Sequence, residues 1–180
     1  MKAGQGKNKG SDFEREIGRR ISLWLSKGER KDLICRTVLS GGQFTVGTGP
    51  NAGDLMAQHP MAFRFFELFV LECKHWKNIE MIRFLVKDGE LYKALVKVRK
   101  EAAKKQKHWL LVARQNFQST LIFMPVSAVY LFRFNDAPIS NSHILFNGTV
   151  FMSYFDEFLS TALPEQLNEQ SSNSGSPSNG

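Results

Sequence analysis

Three polar side chains stand where their neighbours predict burial, and together they have the chemistry of a cation site. In the run FELFVLECK, strand alternation puts Phe66, Leu68, Val70, Glu72 and Lys74 on one face. That apolar face ends in a carboxylate and an ammonium, roughly 6–7 Å apart along the strand. Asp54 opens the preceding extended segment and lies beside them if the two strands pair. Two carboxylates at the end of a hydrophobic sheet repel each other and are poorly solvated. A divalent cation relieves both problems, and a small set of oxygen donors suits Mg²⁺ or Mn²⁺. Lys74 is placed to position a water and to offset phosphate charge. Taken alone, a Glu and a Lys two apart at a strand end also fit a solvated edge pair.

A further carboxylate comes from the helical pattern upstream. At ~100° per residue, Glu14 falls between Ile21 and Leu25, on the flank of an apolar stripe, whereas Glu16 points away from it. Ser11-x-x-Glu14 also fits a capping box, in which Glu14 only satisfies the helix N-terminus. Farther on, Lys93, Lys97, Lys100, Lys104 and Lys107 recur at spacings of four, three, four and three, one face of a helix. Leu91, Leu95, Val98 and Ala102 form the opposite face. Like charges so arranged are destabilising. A row that tolerates them is suited to phosphate, and the alternative is an ordinary solvated face. His59, His108 and His143 are isolated, with no two at metal-ligand spacing. Gly47-x-Gly49 lacks the Lys-Ser/Thr of a phosphate loop.

The elements that must carry these groups follow from the pattern. Phe13, Ile17, Ile21, Trp24 and Leu25 give a helix over 11–26, ended at Lys27-Gly28. Strands are expected over 33–38, 54–58 and 64–74, the last two separated by a turn at His59-Pro60, and a loop over 40–53, which holds five glycines. Helices follow over 78–86 and 90–107, then strands over 109–114 and 120–124 and a short helix after Pro125. A hairpin over 143–152 turns at Asn147-Gly148, and a helix spans 154–162. This order implies an α/β fold, a mixed sheet with helices on both sides.

With 180 residues, 42% hydrophobic and 23% charged, the chain can build one core, which excludes wholesale disorder. Two cysteines, Cys35 and Cys73, exclude a disulfide framework and a four-thiolate zinc site, and read as reduced thiols of a cytoplasmic protein. No apolar run reaches the ~18 residues of a membrane span. The net charge of +7 favours an anionic partner, nucleic acid before membrane. Residues 1–10 read as a flexible basic arm, 11–163 as the folded domain and 164–180 as a disordered polar tail.

Gly10-Ser11-Asp12-Phe13-Glu14-Arg15-Glu16-Ile17, Gly53-Asp54-Leu55-Met56-Ala57 and Leu71-Glu72-Cys73-Lys74, in that order, resemble the PD-(D/E)xK nuclease superfamily. The pattern is most similar to archaeal-type Holliday-junction resolvases and to endonucleases of phages and prophages. Gly53 stands where the name-giving motif has proline. The resemblance implies a restriction-endonuclease-like αβββαβ core, Mg²⁺ or Mn²⁺, and hydrolysis of phosphodiester bonds in duplex or branched DNA. By position, Asp54 and Glu72 would be metal ligands with the Cys73 backbone carbonyl, Lys74 the catalytic lysine, and Glu14 the helical carboxylate that assists the metal. Ser40 falls where resolvase relatives carry a mobile serine near the scissile phosphate, and junction resolution would require a homodimer. A DNA-binding module without chemistry and a structural or assembly protein are the alternative readings.

Overall fold

The structure, a computed structural model, describes residues 5–37, 54–135 and 142–164. Ser40, the rest of the glycine-rich segment, and the tail from 165 lie outside the described residues. Helix α1 (Gln5–Leu25) begins before the expected Ser11. Part of the expected arm is therefore helix. No proline interrupts Gln5–Gly10, and Lys9 is bonded across the molecule to the Asn116 side chain. Phe13, Ile17 and Ile21 are buried, as their spacing requires. Strand β1 (Ile34–Arg36) pairs antiparallel with β2 (Leu55–Ala57).

The segment expected to be one strand over 64–74 divides instead. His59 caps a 3₁₀ turn at Pro60–Ala62, α2 (Phe63–Leu68) follows, and only then does β3 (Phe69–Trp76) begin. Ala62, Phe65, Phe66 and Phe69 are all buried. Their spacing is helical, and a dense apolar run satisfies both periods until tertiary packing decides. Helix α3 (Met81–Leu85) is shorter than expected, because the Ile79 N–H donates to the Gln115 side chain rather than to a helical carbonyl. Helix α4 (Gly89–Lys104) buries Leu91, Ala94, Leu95, Val98 and Ala102. It stops short of Lys107, whose N–H bonds back to the Ala102 carbonyl, with Gln106 between them at φ +54°.

Strands β4 (His108–Gln115) and β5 (Leu121–Pro125) follow, then α5 (Val126–Val129), β6 (Arg133–Phe134), β7 (His143–Leu145), β8 (Val150–Tyr154), α6 (Phe155–Thr161) and β9 (Ala162–Leu163). The order β3-β4-β5-β8-β7 makes a five-stranded mixed sheet, parallel only between β3 and β4. The β7–β8 connection runs through Phe146, Asn147 and Gly148, all at positive φ, so the Asn-Gly signal marks a wider turn than the two-residue form. The pairing of β6 with β9 was not anticipated, since two-residue strands carry no readable period.

Alternation along β3 separates the two layers. The His75 ring meets the Phe13 ring of α1 at 5.2 Å, whereas Glu72 meets Lys97 of α4. Helices thus cover both faces, and the αβββαβ order is present as α1, β1, β2, β3, α4 and β4. Among the described residues, no helix is long and apolar enough to cross a membrane.

Candidate active site

The site forms where the β1–β2 ribbon abuts the free edge of β3. The Asp54 N–H donates to the Leu71 carbonyl at 2.9 Å, and the Cys73 N–H donates to Asp54 Oδ2 at 2.8 Å. These bonds pin the Asp54 carboxylate against the strand that carries Glu72 and Lys74. Leu71 and Cys73 are two apart, so by strand geometry the Cys73 carbonyl projects from the same edge as Leu71's. Glu72 is 1% exposed. Its Oε1 receives two ammonium groups, Lys74 Nζ at 2.6 Å and Lys97 Nζ at 2.8 Å. Glu72 and Lys74 share a face as alternation predicts. Asp54 reaches them through its bonds to Leu71 and Cys73 and not through pairing of β2 with β3, since β2 pairs with β1 in a separate sheet.

Burial pushes the Asp54 carboxyl up to about 6, and the Glu72 charge adds to the effect. The Cys73 N–H and Lys74 act in the opposite direction, and the negative charge of Glu14 is a smaller upward contribution. Burial, then the charge of Asp54, drives the Cys73 thiol well above its ordinary range, so it is an inert wall rather than a thiolate donor. The hydrogen bond to Glu72 raises Lys97 against the opposing effect of its burial.

Lys97 is the residue whose role the sequence pattern concealed. It belongs to the expected phosphate-facing row and is 61% exposed along its side chain, yet its tip reaches back onto a buried carboxylate. Lys107 also departs from that row: it lies beyond the helix and donates to the Phe66 carbonyl. Lys93 is paired with Glu90 at 2.7 Å, while Lys100 and Lys104 are exposed on α4. The intended row thus contributes one member to the site, one to a loop contact and three to the surface.

Glu14 is not a capping residue, because Ser11 lies inside α1 rather than at its start. Its side chain, 17% exposed, is ion-paired with Arg36. This pair clamps α1 to β1 one residue from Thr37, whose N–H donates to the Asp54 carbonyl at 2.9 Å. On the other face of β3, Arg114 grips Glu16 through both guanidinium nitrogens and lies over the Phe13 ring. Burial, then the charges of Lys9 and Arg114, lowers His75.

Among the described residues, no three His, Cys, Asp or Glu side chains gather closely enough to hold a metal ion together. Two carboxylates suffice for Mg²⁺, which keeps several waters and takes substrate phosphate oxygens in place of a full protein cage. Burial is the largest cause of the raised Asp54 and the neighbouring Glu72 charge the second, and a bound cation would relieve both. That relief and the all-oxygen donor set fit a hard divalent cation.

The raised Asp54 also makes a stability prediction. Between pH 3.8 and about 6 the folded chain holds a proton on Asp54 that the unfolded chain has lost, so stability falls as pH rises through this window. In EDTA, Asp54→Asn is expected to be more stable than the wild type at pH 7, on the order of 2 kcal/mol. The advantage should vanish below about pH 4, where both states of the wild type are protonated. Urea denaturation across that range checks it, and a variant less stable at neutral pH would contradict the electrostatic account.

The sequence of residues 5–169 matches the family described as "phage putative PDDEXK endonuclease". No curated protein and no solved structure matches the chain.

Proposed function

Since the chain belongs to this phage PDDEXK endonuclease family, we propose that it is a divalent-metal-dependent endonuclease that hydrolyses phosphodiester bonds in DNA, acting in the bacterial cytoplasm. The observation that carries the reading is the convergence of Asp54, Glu72 and Lys74 on the edge of β3. Asp54 and Glu72 would hold Mg²⁺ or Mn²⁺ together with the Cys73 carbonyl. When bound, such an ion polarises a phosphate oxygen and lowers the pKa of a water.

The chain's own groups do the rest. Lys74, 32% exposed and already on Glu72, can turn toward solvent to orient the attacking water and to balance charge developing on the phosphate. Lys97 balances Glu72 when Lys74 turns away, because both ammonium groups share the same oxygen. Glu14 is a positioning residue, fixing Arg36 and through it the strand end that presents Asp54. Lys93, Lys100 and Lys104 offer a row of cations for backbone phosphates, contacts that position DNA without reading its sequence.

The test is incubation of the purified protein with supercoiled plasmid, linear duplex and a synthetic four-way junction, each with Mg²⁺, Mn²⁺ or EDTA. Nicked or linear product is expected with either metal and none with EDTA. Symmetric paired nicks on the junction would mark resolvase activity and a homodimer. Retention of DNA without cleavage under every metal condition would overturn the enzymatic reading and leave a binding module.

A further inference from the structure

Phe117 occupies the tip of the β4–β5 connection, fully exposed at 102% and at φ +60°. Both features oppose its residue type. A large aromatic ring gains nothing from water, and a side chain with a Cβ is strained in the left-handed region, where Gly or Asn is at ease. The turn itself is closed by the Gln118 N–H on the Gln115 carbonyl at 3.1 Å, a bond that needs no ring at position 117. The fold therefore displays this aromatic at its own expense.

Beside it lies a cleft of about 550 Å³, whose lining includes Lys9, Arg20, His75, Arg114, Asn116 and Phe117. Arg20 is paired with Asp156 and Arg114 with Glu16, while Lys9 is held by the neutral Asn116 oxygen. Three cations therefore face two carboxylates, leaving the cleft positive. It lies on the α1 side of the sheet, where His75 and Arg114 project, opposite the face on which Glu72 meets Lys97. Lys74 pairs with Ala113, and Phe117 lies four residues farther along.

We propose that Phe117 and the adjoining cationic cleft form a subsite for an unpaired nucleobase and its phosphate, on the sheet face opposite Lys97. The ring offers a flat face to the base, and Lys9, Arg20 and Arg114 provide the charge that attracts the phosphate. A base inside a duplex is already stacked on both sides and gains little from a third surface. An unstacked base gains most, and such stacking tolerates any base identity. The inference rests on DNA being the substrate.

Fluorescence anisotropy in EDTA, with a labelled single-stranded oligonucleotide and with the same sequence as matched duplex, tests it. Phe117→Asn is expected to lose roughly tenfold in single-strand affinity, with little change on duplex. Its melting temperature should equal or exceed that of the wild type, because Asn accepts the left-handed turn. Phe117→Trp should keep the affinity and show emission quenched on binding. Unchanged single-strand affinity in Phe117→Asn, an equal loss on strand and duplex, or a lowered melting temperature would each overturn the subsite alone. A wild type that binds neither DNA would overturn the endonuclease reading along with it.

Discussion

Asp54→Asn and Lys74→Ala should each lower phosphodiester cleavage by roughly 10³-fold while changing DNA affinity only a few-fold. The asymmetry follows from where the groups lie. Asp54 and Glu72 are fixed at one strand edge by backbone bonds and burial, whereas Lys93, Lys100 and Lys104 lie on the exposed surface of α4. Removing either carboxylate or Lys74 deletes a charge that matters when the phosphate accumulates negative charge, and little else. Glu14→Gln should be milder, near tenfold, because Glu14 acts through Arg36 rather than on the reacting atoms. A Glu14→Gln defect as deep as that of Asp54→Asn would move it into the group that holds the ion. Near wild-type cleavage by Asp54→Asn would remove the site from the mechanism altogether. Single-turnover cleavage of plasmid, with anisotropy for binding, separates these outcomes.

The second large effect concerns stability. Lys74 and Lys97 approach the same oxygen of a carboxylate that is 1% exposed. Either lysine alone can compensate the charge, so each single Ala variant should cost well under 1 kcal/mol in urea denaturation, as for a partly exposed ion pair. The double variant strands a buried anion and should cost roughly 3 kcal/mol. The strongly non-additive cycle is the signature of a shared partner. Adding Glu72→Gln to the double variant should recover most of the loss, since a neutral amide needs no counter-charge. Additive single effects would show that the two lysines do not share Glu72 in solution.

What could be read from the residues, and what could not, divides by the distance over which the information acts. Val70, Glu72 and Lys74 share a face because strand period is a local property, whereas Asp54 is joined to them by bonds to Leu71 and Cys73 rather than by the expected pairing of its strand with β3. Lys97 reaches Glu72 across 25 positions, and nothing in a helical lysine row distinguishes the one ammonium that turns inward from those that face water. Phe63–Leu68 folds as a helix although its apolar density fits a buried strand equally well, because Phe65 and Phe66 pack as a pair with ring centroids 5.2 Å apart. The Arg36 partner of Glu14 and the Arg114 partner of Glu16 lie 22 and 98 positions away. Both are charged residues with no local pattern to mark them.

The division of labour between β1–β2 and β3 has a dynamic consequence. Glu72, Lys74 and Lys97 belong to one contiguous β–α–β block, knitted by eight paired positions between β3 and β4. Asp54 is delivered by a ribbon of two three-residue strands, the kind of pairing that is marginal without its surroundings. Its hydrogen-bonded ladder is short, so its place depends on the burial of Ile34, Leu55, Met56 and Ala57. Loosening that burial would withdraw one carboxylate and leave the lysine–glutamate half in place.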